Sequence, residues 1–292
     1  MVVTGRFAPS PTGALHLGNL RTALLAWLFA RSERGRFLVR MEDLDAVVSR
    51  REFEEWQLSD LLAIGLDWDG AVVRQSERRG LYEDALTTLI DAGLTYPCYC
   101  TRKEILAAAS APHGDVAAYP GTCRSLSTIQ QRRLEQGGRR PALRLRSDGS
   151  VITVEDLRCG PVVAVLDDVV LRRNDGVPSY NLAVVVDDGA QGVNQVVRGD
   201  DLLSSTPRQV GLARLLGIAP PRYAHVPLVL GPSGQRLAKR DGAVTLADQL
   251  AGGVGPERVL ARLGASIGLC TIDEAVSGEV LLERFQIGRA HV

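Results

Sequence analysis

Residues 6–23 read RFAPSPTGALHLGNLRTA. Pro9, Pro11 and Gly13 shape a tight turn, and the backbone N–H groups of such a turn, with the N-terminus of a following helix, make an anion site suited to phosphate. There His16 can donate hydrogen bonds to phosphoryl oxygens, and Gly18 lets a nucleotide base approach the backbone closely. The bland reading of the same residues is a Pro/Gly turn with a helix-capping histidine. A second constellation is Cys98-Tyr99-Cys100, followed by Cys123 after a loop containing Pro112, Gly114, Pro120 and Gly121. Three sulfurs want a fourth ligand to close a tetrahedral zinc site. Chemistry alone favours His113, because a neutral imidazole is a far commoner ligand than a phenol whose pKa is about 10. The third feature is a lysine. Of the 34 basic residues only Lys103 and Lys239 are lysine, so a surviving lysine is a clue to a place where a compact ammonium is wanted.

These groups need elements to hold them. Val2 to Ala8 is β-rich and runs into the Pro/Gly turn, after which Leu20, Leu24, Leu25, Leu28 and Phe29 recur at helical spacing, with Gly35 at the expected C-cap. FLVRM follows as a buried strand ending in the acids of EDLD. Strand, turn, helix, strand opens a parallel α/β sheet, in which ligands collect at the carboxyl ends of strands. Two helices, about 50–64 and 78–92, precede YPCYCTR. PALRLR, VITVED, PVVAVL and DVVLRR read as short strands of an inserted, partly antiparallel subdomain. SYNLAVVVDD and NQVVRGDDL resume the α/β pattern, followed by a helix over 208–216 and a strand at VPLVL. The tail from Thr245 is helical, with Pro256 at a helix start.

Length and composition bound the function class. The 292 residues carry 34 basic and 34 acidic side chains and are 45% apolar, which is ample for a buried core and excludes disorder. Apolar runs are far shorter than the roughly 20 residues that span a bilayer. The N-terminus lacks a secretory pattern and five cysteines do not pair evenly, so a reducing cytoplasm is the expected home. Zero net charge argues against wholesale coating of nucleic acid. Locally, residues 124–146 carry seven arginines against the single acid Glu135.

APSPTGALHLGNLRTA resembles the N-terminal ATP site of class I aminoacyl-tRNA synthetases, with His16-Leu17-Gly18-Asn19 in the place of their HIGH motif. RFAPSPTG and RMEDLD are similar to the glutamyl branch. RLAKR at 236–240 resembles the second class I element, the lysine loop, with Arg236 for its first lysine and Ala238 for its serine. The resemblance implies an α/β, Rossmann-like class I catalytic domain with an inserted zinc-bearing α+β subdomain and a short helical tail. The boundaries expected are 1–95 and 177–244 for the catalytic halves, 96–176 for the insertion and 245–292 for the tail. It implies catalytic roles for His16 and Lys239, and ATP contacts from His16, Gly18, Asn19 and Lys239. Arg6, Ala8, Ser10, Glu42, Tyr180 and Arg198 are implied to bind glutamate; a planar arginine fork suits a carboxylate and Glu42 suits an ammonium.

For the metal, a shortened group within the glutamyl branch carries CxC followed by YxxxC, which Tyr119 to Cys123 matches. That resemblance implies Cys98, Cys100, Tyr119 and Cys123 as ligands of a structural zinc, with His113 outside. Only 53 residues follow Lys239, too few for the anticodon-binding region of a longer glutamyl enzyme. The activity implied is that of the shortened group: tRNA-independent activation of L-glutamate with Mg-ATP, then transfer to queuosine at the wobble position of tRNA(Asp), by a monomer with no membrane partner. The rivals are a truncated enzyme charging the 3′ end of tRNA(Glu) and a non-catalytic RNA-binding module.

Overall fold

The computed structural model describes residues 2–101, 103–105, 119–229 and 244–287. Strand β1 (Thr4–Phe7) leads through the Pro/Gly turn into α1 (Leu17–Ser32), and β2 (Arg36–Met41) returns parallel to β1 with Arg6 opposite Leu38. Helix α2 (Arg51–Ala63) connects to β3 (Val73–Arg74), parallel to β2, and a 3-10 turn at Gln75–Glu77 precedes α3 (Arg79–Asp91).

Strands β4 (Thr95–Cys98), β5 (Ala142–Leu145) and β8 (Val170–Arg172) form a separate antiparallel sheet, with α4 (Thr128–Gln136) between the first two in sequence. The hairpin of β6 (Val151–Asp156) and β7 (Gly160–Val165) goes elsewhere. It joins β9 (Gln195–Gly199) and β10 (Arg222–Val226) in a sheet of order β7-β6-β10-β9. The four segments expected in one inserted unit therefore divide between two sheets. Alternation in VITVED puts Ile152, Val154 and Asp156 on a buried face, and that face has a partner in the main body of the fold.

Helix α5 (Tyr180–Ala190) precedes β9, and α6 (Thr206–Leu215) links it to β10 after a 3-10 segment at Asp200–Ser205. Strand β9 lies beside β1, where Asn194 N–H donates to Thr4 O and Asn194 Oδ1 accepts from Thr4 N–H. The expected strand at VPLVL begins four residues earlier. Its register is set by parallel pairing with β9, Arg222 opposite Gln195 through Val226 opposite Gly199, and Pro227 has no N–H with which to continue the ladder.

The tail comprises α7 (Leu246–Ala251), α8 (Pro256–Ala265) and α9 (Gly278–Arg284). It covers the face of α1 turned away from the sheet, with Phe285 against Phe29 at 5.2 Å between ring centroids. Hence eleven of the sixteen residues of α1 are buried, more than a one-sided amphipathic helix would bury.

The end of α1 corrects one expectation. Arg34, not Gly35, takes the left-handed conformation (φ 52°), and Arg34 N–H to Arg31 O with Gly35 N–H to Ala30 O completes a Schellman motif. Gly35 serves close approach instead: a Cβ there would stand 2.6 Å from Val3 O and 2.8 Å from Ala30 O.

Candidate active site and metal centre

The turn after β1 is held from two sides. Glu42 N–H, at the end of β2, donates to Pro9 O at 2.9 Å, and Gln57 Nε2 on α2 donates to Ser10 O and Gly13 O at 3.0 and 2.7 Å. Helix α1 opens with a reciprocal cap: Asn19 N–H donates to His16 Nδ1 at 3.1 Å, and His16 N–H donates to Asn19 Oδ1 at 3.2 Å. The capping histidine of the bland reading is thus real. It also has a chemical consequence, because an accepting Nδ1 puts the proton of a neutral imidazole on Nε2.

Ala8, Ser10, His16, Asn19, Glu42 and Tyr180 line one cleft of about 640 Å³, together with Asp201 and Leu202 after β9. Gly18 is buried beside it; a Cβ there would meet the His16 ring at 3.0 Å and Val229 at 3.5 Å. Leu17 N–H donates to Val244 O at 3.0 Å, and His16 pairs with Thr245 in an isolated bridge. Both described flanks of 230–243 therefore touch the start of α1. Lys239, Arg236, Ala238 and His113 lie outside the described residues.

Below the cleft sits a buried charge network that the sequence reading missed. Asp188 accepts from Arg40 at 2.8 Å and pairs with Arg6 at 3.4 Å, while Asp187 accepts from Arg78, Gln75 and Tyr82 at 2.7 to 2.9 Å. Glu42 stands 3.5 Å from Arg40. Burial raises the pKa of the Glu42 carboxyl, outweighing the opposing pull of Arg40 and Arg6. Burial acts the same way on Asp188, but there Arg40 and Arg6 prevail and hold the carboxyl below its usual range. The pair of acids ending SYNLAVVVDD was the available signal, since a charge ending an apolar helical run often meets a buried partner.

Arg198, on β9, is 5% exposed and points three sides of its fork into protein. Nε donates to His225 Nε2 at 3.0 Å, NH1 to Gln209 Oε1 and NH2 to Thr206 Oγ1, both at 2.8 Å. His225 Nδ1 lies 2.6 Å from Asp156 Oδ2. None of these partners stood out in the sequence, because β6, β10 and α6 come together only through the sheet.

The cysteines converge as expected. The sulfurs of Cys98, Cys100 and Cys123 all lie within 4.8 Å of one another and can hold a metal ion. Tyr119 Oη is 3.3 Å from Cys98 Sγ and 3.6 Å from Cys100 Sγ, and Cys123 N–H donates to it at 2.9 Å. Gly121, with φ 76°, makes the turn between tyrosine and cysteine. Arg144 lies over the Tyr119 ring at 3.7 Å.

Residues 2–277 match the model of tRNA synthetases class I (E and Q), catalytic domain. The chain belongs to this family. It is therefore a ligase-type enzyme of the class I fold. It is 64% identical to the glutamyl-Q tRNA(Asp) synthetase of Nocardia farcinica over 91% of this chain and 85% of that one, and 57% identical to that of Cutibacterium acnes over 91% and 76%. Among solved structures, the glutamate tRNA ligase of Elizabethkingia meningosepticum in complex with its amino acid superposes with a TM-score of 0.83 at 30% identity. That alignment covers all of this chain and 66% of the ligase. No helix among the described residues is long and apolar enough to cross a membrane.

Proposed function

We propose that this chain activates L-glutamate with Mg-ATP, without tRNA, and transfers the glutamyl group to queuosine at the wobble position of tRNA(Asp). The observation that carries the first step is the single cleft in which the His16–Asn19 helix start and the Glu42–Tyr180 end face common space. The similarity to two glutamyl-Q tRNA(Asp) synthetases over most of both chains supports the second.

In the first step the α-carboxylate of glutamate attacks the α-phosphorus of ATP in line, a P–O bond forms, and pyrophosphate leaves. His16 Nε2–H donates to phosphoryl oxygen, Gly18 and Asn19 border the nucleotide, and Lys239 neutralises phosphate charge. The Mg²⁺ that enters with ATP screens the same phosphates. Glu42 receives the ammonium, with Ala8, Ser10 and Tyr180 lining the same cleft; Arg6 and Arg198, buried behind the lining residues, supply positive charge to the carboxylates. In the second step a hydroxyl of the queuosine cyclopentene-diol attacks the acyl carbon of the adenylate, the bond from that carbon to the phosphate oxygen breaks, and an ester forms as AMP leaves and the hydroxyl proton passes to its phosphate or to water. Catalysis here is positioning and charge stabilisation, with no covalent enzyme nucleophile.

A structural zinc at the cysteine cluster would, in this reading, be held by Cys98, Cys100, Tyr119 and Cys123. Bonds of ~2.3 Å to sulfur and ~2.0 Å to oxygen at tetrahedral angles require edges of ~3.8 Å between sulfurs and ~3.5 Å from sulfur to oxygen. Cys100 and Cys123 sulfurs are 3.5 Å apart, and the Tyr119 distances of 3.3 and 3.6 Å straddle the second value. Burial and the neighbouring thiols raise the phenol's pKa. The Cys123 N–H pulls the other way, and the charge of a bound ion would favour the phenolate.

Acylation of purified tRNA(Asp) with and without queuosine tests the whole proposal. The expected result is glutamate-dependent ATP–pyrophosphate exchange in the absence of tRNA, and labelling of queuosine-bearing tRNA(Asp) alone. Labelling of the 3′ end of tRNA(Glu) would instead identify a tRNA-charging enzyme, and no exchange at all would identify a binding module.

A further inference from the structure

We infer that Asp156 and His225 are a positioning pair that aims Arg198, and thereby determine selection for a carboxylate at the amino-acid end of the cleft. The inference rests on the proposed contact between Arg198 and glutamate. A guanidinium Nε–H can donate to His225 Nε2 at 3.0 Å only if that nitrogen carries a lone pair, so the imidazole proton must sit on Nδ1. Nδ1 faces Asp156 Oδ2 at 2.6 Å, an acceptor that enforces this tautomer. Arg198, His225 and Asp156 are 5%, 1% and 5% exposed, so water is a poor substitute for a lost partner.

The choice of a neutral ring has an electrostatic consequence. Gln209, Thr206 and His225 fix the fork without a carboxylate, and among the described residues Arg198 makes no ion pair. Its guanidinium is left without a hydrogen-bonded carboxylate, while the anion that anchors the assembly is held one imidazole ring away. A carboxylate in place of His225 would orient the fork equally well but cancel the charge.

Asp156 is itself held rigidly. Oδ1 accepts from the backbone N–H groups of Arg158 and Cys159 at 3.0 and 2.9 Å, and the His225 N–H is shared between Oδ2 at 3.1 Å and Oδ1 at 3.3 Å. This geometry dictates how an amide would sit in Asp156→Asn. With its oxygen in the Oδ1 position the side chain keeps the Arg158 and Cys159 bonds and the longer contact from the His225 N–H, and its NH₂ then faces the ring. The imidazole must accept at Nδ1 and carry its proton on Nε2, which opposes the Arg198 Nε–H; an aspartate-to-asparagine change beside a catalytic histidine acts through the same tautomer switch.

The experiment is ATP–pyrophosphate exchange with separate KM values for glutamate and ATP, run on wild type, Arg198→Ala, Asp156→Asn, His225→Gln and the Asp156→Asn/His225→Gln double variant. Nitrogen-15 NMR of the histidine rings accompanies it. Asp156→Asn is expected to raise the glutamate KM at least tenfold, leave the ATP KM within twofold, and move the His225 proton from Nδ1 to Nε2. A glutamine oxygen at 225 accepts from Arg198 without any tautomer, so the asparagine effect should shrink below threefold in the double variant. A simple structural role predicts the same loss in both backgrounds, and that result overturns the inference, as does an equal rise in both KM values or an unshifted proton. An unchanged glutamate KM in Arg198→Ala overturns the parent reading of Arg198 and this inference with it. A raised value there with a silent Asp156→Asn overturns the inference alone.

Discussion

Replacing Asp188 by alanine should remove about 3 kcal/mol of folding stability. Its carboxylate is 8% exposed and takes Arg40 at 2.8 Å and Arg6 at 3.4 Å, both themselves almost wholly buried. Removing one partner of a buried pair costs ~3–5 kcal/mol, because the other charge stays behind in a low dielectric. The lower end applies here, since Arg40 retains Gln191 Oε1 at 2.8 Å, Glu42 at 3.5 Å and Asp187 at 3.7 Å. At about 1.4 kcal/mol per factor of ten, the unfolded fraction rises on the order of 100-fold. At ~2–4 °C per kcal/mol the thermal midpoint falls by roughly 6–12 °C. Asp188→Asn should cost less, because it keeps an oxygen acceptor for Arg40. Urea unfolding followed by circular dichroism, with a thermal scan, measures both. A loss below ~1 kcal/mol in the alanine variant would refute the reasoning, because the two arginines would then be satisfied without this carboxylate.

Gly35→Ala should destabilise by about 1–3 kcal/mol or more, since the added methyl meets backbone oxygens at 2.6 and 2.8 Å that no side-chain motion relieves; unfolding in urea decides it. Asp156 should give stability a defined pH dependence. Burial raises its pKa, but the His225 ring and backbone N–H groups outweigh this and hold it at about 2. A depressed carboxyl contributes stability above its ordinary pKa of ~3.9 and loses it as the pH falls further. The gap between wild type and Asp156→Asn should therefore be roughly 2 kcal/mol near neutrality and narrow from about pH 5 toward pH 2, as denaturant titrations at each pH would register. Tyr119→Phe should lose bound zinc on dialysis against a chelator while His113→Ala keeps it; elemental analysis showing the reverse sinks the ligand assignment. Lys239→Ala should slow adenylate formation by orders of magnitude with little change in glutamate affinity, and an equal loss of calorimetric glutamate binding would show that its charge acts elsewhere.

Local patterns were legible in the chain because they depend on near neighbours. Helices α2 and α3 fall within a residue of the ranges read from their spacing. The turn, the capping histidine and the start of α1 all follow from residues 9–19. The CxC pair and Cys123 announced a cluster that can hold a metal through residue type alone. Where a resemblance was needed, as for Tyr119, geometry supplies a reason independent of it: Oη approaches two of the sulfurs and accepts the backbone N–H of the third cysteine.

What needed the tertiary structure were choices among distant partners. A short alternating strand such as VITVED states that one face is buried but not against what, and β10 chose it for the main sheet. The register of β10 came from β9 rather than from its own apolar run. Composition placed Gly35 at a helix end, but backbone crowding from Val3 and Ala30 explains why glycine stands there while Arg34 adopts the left-handed turn. Arg198 was recognisable as a charge suited to carboxylate; its aim depends on His225 and Asp156, 27 and 42 residues away in sequence. Hydrogen bonds act over about 3 Å and confer no sequence periodicity, so only the folded chain could name the acceptors.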